Sequence, residues 1–99
     1  MSTQAMTHKI VDYFKTQPIK KAWLFGSFAR GEETPDSDVD LLVVYDRSQP
    51  IGLFKYARMR REMEELLGRK VDLVEEGTLR PAAHKTANKE KKIIYERKN

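Results

Sequence analysis

Apolar residues recur along the chain with two different periods, and the alternation between them outlines the secondary structure. Met6, Ile10, Tyr13 and Phe14 step by three and four, with Ser2 or Thr3 available as a cap and Pro18 beyond the end, which predicts a first helix over Thr3 to Thr16. KKAWLF, Lys20 to Phe25, then reads as a short strand running into Gly26, and SFARGE as a short helix or turn opened by Ser27. After the polar loop GEETPDS comes DVDLLVVY, Asp38 to Tyr45, rich in β-branched and apolar residues, which predicts a central strand buried on both faces. Leu53, Tyr56, Met59, Met63, Leu66 and Leu67 return to the helical period, and Gly68 ends that helix. KVDLVEE, Lys70 to Glu76, predicts another strand, Gly77-Thr78 a turn, and Pro81 the first turn of a helix reaching about Glu90. KKIIYER predicts a last edge strand. Strands alternating with helices predict an α/β or α+β sandwich with helices packed on a sheet.

Two carboxylates break this pattern. Asp38 and Asp40 stand two residues apart at the entrance to the apolar run Leu41 to Tyr45, and residues two apart in a strand project to the same face. Like charges that close repel, and near a sheet interior their desolvation is costly, so a cation is expected to neutralise them. Magnesium suits such a place, because it takes hard oxygen ligands and keeps positions open for water and substrate phosphates. A third acid, Asp72, sits among apolar neighbours in the strand Lys70 to Glu76. If it shares a face with the other two, three carboxylates converge, and such a triad can hold two metal ions for phosphoryl or nucleotidyl transfer. The plainer reading is that Asp38 closes the turn PDS and Asp40 lies at the strand rim. For either residue alone it is at least as good; the pair followed by LLVV weakens it.

Gly26 follows a strand and Ser27 opens the next element, so backbone N–H groups and a hydroxyl are available for a phosphate, or simply for an ordinary turn and cap. Arg30, one helical turn on, reaches either a phosphate or the acids Glu32 and Glu33. Ten residues separate Ser27 from Asp38, enough for a short helix and a loop to return beside the first strand, where sheets of this kind place ligands.

Composition narrows the picture. The chain has 99 residues, 39% hydrophobic and 34% charged, which predicts one small soluble domain over residues 1 to 99. No apolar run is long enough to cross a bilayer and MSTQAMTHK lacks the apolar core of a signal peptide, so the expected location is cytoplasmic, with no membrane partner. With no cysteine, thiolate zinc sites and disulfides are excluded. The net charge of +4 is concentrated towards HKTANKEKKIIYERKN and favours a solvated basic face or an anionic partner over direct nucleic-acid readout. KYARMRR, Lys55 to Arg61, reads most simply as a solvated helix face. Trp23 and Phe25 read as core, with base stacking as the alternative. His8 and His84 read as surface residues.

The spaced motif, Gly26-Ser27, ten residues, then Asp38-Val39-Asp40, resembles the DNA polymerase beta-like nucleotidyltransferase superfamily, and within it the minimal nucleotidyltransferases, or MNT proteins. GSFARGEETPDSDVDLLV is especially similar to MNT members, Asp72 in KVDLVEE stands where the family has its third acid, and Leu79, Pro81 and IIYE resemble the usual MNT ending. The resemblance implies an α+β fold, a small mixed sheet with helices packed on it. It also implies magnesium, ATP as substrate, and transfer of AMP with release of pyrophosphate. By the same carry-over Gly26 and Ser27 seat the triphosphate, Asp38 and Asp40 bind metal, and Asp72 completes the site and activates the acceptor hydroxyl. MNT proteins are commonly paired with HEPN-domain RNase toxins, whose tyrosine the MNT antitoxin adenylylates, which makes a HEPN protein the expected partner. Two other functions stay open: a non-catalytic antitoxin that neutralises its partner by occlusion, and a small-molecule or RNA nucleotidyltransferase.

Overall fold

The computed structural model describes residues 3–76 and 91–97. The elements run α1 (Thr3–Phe14), β1 (Ile19–Phe25), α2 (Ser27–Arg30), β2 (Val39–Tyr45), α3 (Leu53–Leu67), β3 (Val71–Glu75) and β4 (Lys92–Glu96). The helix expected from Pro81 to Glu90 lies outside the described residues. The strands form one mixed sheet in the order β3-β2-β1-β4, with β1 antiparallel to β2 and β4, and β2 parallel to β3. β2 is therefore internal and β4 an edge, as their compositions predict. No described helix is long and apolar enough to cross a membrane.

Periodicity decides what each element buries. Met6, Ile10 and Phe14 of α1, and Met59, Met63 and Leu67 of α3, each four apart, form single buried stripes. Both stripes join the cluster that contains Ala22, Leu24, Leu41, Val43, Val71 and Leu73. These strand residues share one face by alternation, so the two long helices cover that face. Leu42, two per cent exposed, stands outside the cluster and marks a second, different face. Gly68 ends α3 at φ 67°, a left-handed conformation that costs glycine nothing, and its N–H closes the last turn on the Glu64 carbonyl at 2.8 Å. α1 ends two residues earlier than expected, in a turn where the Thr16 N–H bonds the Tyr13 carbonyl at 3.0 Å.

Two polar clasps fix the segments at either end of β2. At its start, Arg69 Nη1 donates to the carbonyls of Thr34, Pro35 and Ser37 at 3.0, 3.2 and 3.0 Å, and its guanidinium lies 5.1 Å from the centre of the Phe28 ring. A single cation thus gathers the loop that leads into β2. At its end, the Asp46 carboxylate accepts from the Ser48 hydroxyl at 2.7 Å, from the Ser48 N–H at 3.0 Å, and from Arg97 Nη1 at 2.7 Å. Arg97 Nη2 also donates to the Gln17 carbonyl at 2.9 Å, so the end of β4 is tied to the α1–β1 turn.

These clasps generate two predictions. The Ser48 donors, and after them Arg97, hold the Asp46 carboxyl down to about 2. A folded-state value below the unfolded one means the clasp contributes fully above about pH 4 and is lost as pH falls towards 2. Asp46→Asn is thus expected to lower the urea midpoint at pH 7, with the gap to wild type closing over that acid range. Arg69→Ala is expected to speed amide exchange at Ser37 about tenfold while changing global stability by only about 1 kcal/mol, since the cost falls on one loop. Amide exchange read by NMR checks the second, and equal exchange at Ser37 in both proteins would refute it.

Candidate active site

The site grows from the junction of β1 and β2. Phe25 pairs with Asp40, and Gly26 follows at φ 73°, ψ −150°, a conformation available in practice only to glycine. A Cβ built on Gly26 would stand 2.3 Å from Asp40 Oδ2. Gly26 is thus required twice, once by its backbone and once by the carboxylate resting against it. Ser27 is the first residue of α2 and its carbonyl accepts the Glu32 N–H at 2.9 Å, so the chain leaving α2 curls back onto the residue that opens it.

On the other side of Asp40 lies Asp72. The two are register partners in the parallel pair β2–β3, which places their side chains on one face about 5 Å apart at the backbone. Asp38 sits in the loop one residue before β2, not within the strand as expected, because the ladder begins where the Val39 N–H bonds the Lys70 carbonyl at 2.9 Å. Asp38 and Asp72 are exposed, Asp40 half-buried. Burial, then the charges of Asp72 and Asp38, push the Asp40 carboxyl above the usual carboxylate range, and Arg30 opposes them. Arg30 therefore acts on the acids electrostatically while its Nε pairs with Glu32 at 3.4 Å.

Among the described residues no three acidic or histidine side chains stand close enough to enclose a metal ion by themselves. Magnesium does not need such a cage: one or two carboxylates suffice when water and substrate phosphates complete the octahedron. Asp40 beside Asp72, with Asp38 near, supplies hard oxygen donors and an excess of negative charge, so the residues fit that ion. His8 is exposed on α1, away from the acids, and His84 lies outside the described residues. A hollow of about 280 Å³ borders Asp38 and is lined by Ser37, Arg69 and Lys70. A larger one, about 480 Å³, opens at the opposite end of β2 and β3 beside Tyr45, Ile51 and Tyr56. Its size does not make it the chemical site, since its lining holds no cluster of acids. Arg69 is the residue that sequence reasoning missed. One arginine after a helix-ending glycine carries no signal until the loop folds against it.

The chain matches the family described as "Nucleotidyltransferase domain" over residues 8–97. It is 38% identical over 77 residues, 78% of this chain and 74% of the relative, to the protein adenylyltransferase MntA of Thermococcus cleftensis. A provisionally named minimal nucleotidyltransferase of known structure superposes with TM-score 0.76 at 32% identity, covering 93% of this chain and 95% of that one. Two further structures share the fold at lower identity. A toxin–antitoxin solved with AMP-PNP gives TM-score 0.77 at 18% identity, over 92% of this chain and 73% of that one. The other is the tri-AMPylated Shewanella oneidensis HEPN toxin in complex with MNT antitoxin, with TM-score 0.72 at 16% identity over 97% and 74%. The motif around Gly26, the mixed sheet that sets Asp40 beside Asp72, and a family match spanning most of the chain agree: this protein belongs to the nucleotidyltransferase-domain family, as an MNT-type nucleotidyltransferase.

Proposed function

We propose that the chain is an antitoxin that transfers AMP from ATP to a tyrosine hydroxyl of a HEPN-domain RNase toxin, with release of pyrophosphate. The observation that carries this reading is the Asp40 carboxylate, half-buried, repelled by Asp72 and Asp38, and lodged against the turn that opens with Gly26-Ser27. Such an arrangement is costly to a fold and useful to a polyphosphate. The relative that is a protein adenylyltransferase and the neighbour that is a HEPN–MNT complex support the acceptor class.

In this reading the Gly26-Ser27 turn seats the triphosphate and Arg30 adds a cation beside it. Asp38, Asp40 and Asp72 would hold magnesium together with the phosphates rather than as a closed cage; the ion would supply neutralisation of charge on the transferring phosphate. The tyrosine oxygen forms a bond to the α-phosphorus as the bond from that phosphorus to the β-bridging oxygen breaks. The phenolic proton passes to Asp72, the more exposed of the two paired acids, and pyrophosphate leaves with the bonding electrons. Nothing in this step asks the protein for covalent chemistry, only for position and electrostatics.

The test is incubation with magnesium and ATP labelled on the α-phosphate in a lysate of the native host. Label on a tyrosine of one discrete protein is expected. Label in RNA or a small molecule would replace the acceptor, and neutralisation of the toxin without label would favour occlusion. Asp40→Asn is expected to reduce transfer about a hundredfold or more. The same change removes a repelled, half-buried charge, so without magnesium its thermal midpoint should equal or exceed that of wild type. Gly26→Ala behaves oppositely on stability: strain at φ 73° and the collision with Asp40 should cost about 1–3 kcal/mol as well as the activity. Calorimetric melts of the two variants separate a functional carboxylate from a structural one, and a destabilised Asp40→Asn would refute the assignment.

A further inference from the structure

A second group of side chains gathers on the sheet face turned away from α1 and α3. Register sets Asp72, Asp40 and Phe25 in one row across β3, β2 and β1, and Val74, Leu42, Trp23 and Ile93 in the next row across all four strands. This is the face opposite α1 and α3. Trp23 and Phe25, which composition assigns to the core, are half-buried here and stand outside the core cluster. The strand bears them on the same side as the acids because alternation turns Ala22 and Leu24 towards the helices.

Two ammonium groups address the Trp23 ring. Lys91 Nζ lies 4.3 Å from its centre and Lys21 Nζ lies 5.1 Å from it. Lys21 also pairs with Glu96 at 3.5 Å. Trp23 is one strand and two residues from Asp40, about 8 Å by ordinary sheet spacing, which is the scale of a ribose set between a phosphate and a base. An aromatic face, a cation at its side, and carboxylates that call for a metal–phosphate group follow one another across a single surface.

We infer that Trp23 is the stacking platform for the nucleobase of the nucleoside triphosphate, and that Lys91 is the cation that moves from the indole to the phosphates when the base arrives. The inference rests on the nucleotidyl-transfer reading above. An ammonium over a partly exposed indole is held more weakly than a stacked base, so the exchange is favourable, and the displaced charge gains an anion as partner. Stacking takes any base by its π-face, so this platform gives a graded preference, purines over pyrimidines, and not a strict one. An aromatic side chain of the acceptor protein is the competing occupant, and nucleotide added without acceptor discriminates between them.

Trp23 is the chain's one tryptophan, so its emission reports on this position alone. Wild-type protein with magnesium is titrated with AMP-PNP and, separately, with inorganic tripolyphosphate, while calorimetry follows binding of each. AMP-PNP is expected to quench the emission over the range in which calorimetry shows saturation, and tripolyphosphate to bind with little quenching. Trp23→Leu should weaken AMP-PNP about tenfold and tripolyphosphate hardly at all, Trp23→Phe should retain most of the affinity, and Lys91→Ala should weaken both ligands. Calorimetric saturation by AMP-PNP with unchanged emission would overturn the subsite and leave the transfer reading standing. Equal weakening of both ligands by Trp23→Leu would also overturn it. Absence of AMP-PNP binding in wild type would overturn the subsite and the transfer reading together, and quenching that needs the acceptor protein would give the platform to the acceptor instead.

Discussion

Everything in the molecule is arranged around a carboxylate that the fold alone would not choose. Asp40 stands on an internal strand, with Asp72 in register on one side and the Gly26 turn pressed against it on the other. Burial and two like charges act against its ionised form, and Arg30 partly relieves it. The compensation comes from the opposite side of the same strand. Leu41 and Val43 are fully buried there beneath α1 and α3, and among the described residues no charged side chain is fully buried. Alternation lets β2 serve both ends, since each residue that weakens one face leaves its neighbours free to stabilise the other.

The same alternation explains what the sequence could and could not disclose. Helical stripes at Met6, Ile10 and Phe14 and at Met59, Met63 and Leu67 are local patterns, so both long helices were legible, as was the internal place of β2 from its run of apolar residues. The pairing of Asp40 with Asp72 was legible only as a condition, because thirty-odd residues and a helix intervene and register is fixed by the parallel ladder. Trp23 and Phe25 were misread for a related reason. Large aromatics suggest a core, yet in a sheet with two unlike faces the side of a residue depends on which alternate set meets the helices, and Ala22 and Leu24 took that role. Arg69 was invisible because its three carbonyl partners lie more than thirty residues earlier in the chain.

Backbone constraints and charge cooperate at the site more closely than either does with the core. Gly26 permits the sharp exit from β1 and, lacking a Cβ, leaves room for the Asp40 oxygen. Arg69 gathers the returning loop, so Asp38 reaches the strand from a fixed direction. Neither residue supplies chemistry. Each removes a freedom that the acids would otherwise have, and removing it beforehand is the part of phosphoryl-type transfer that a protein can contribute most readily.

That economy bears on how few elements the site draws upon. A reaction whose demands are charge neutralisation and alignment needs mainly placed charges on a rigid frame, and β1, α2, β2 and β3 are enough to place Asp40, Asp72 and the Gly26 turn together. Asp38 and Asp72 stay exposed while Asp40 is half-buried, so the charge of the site is presented at the surface by a carboxylate anchored in the sheet.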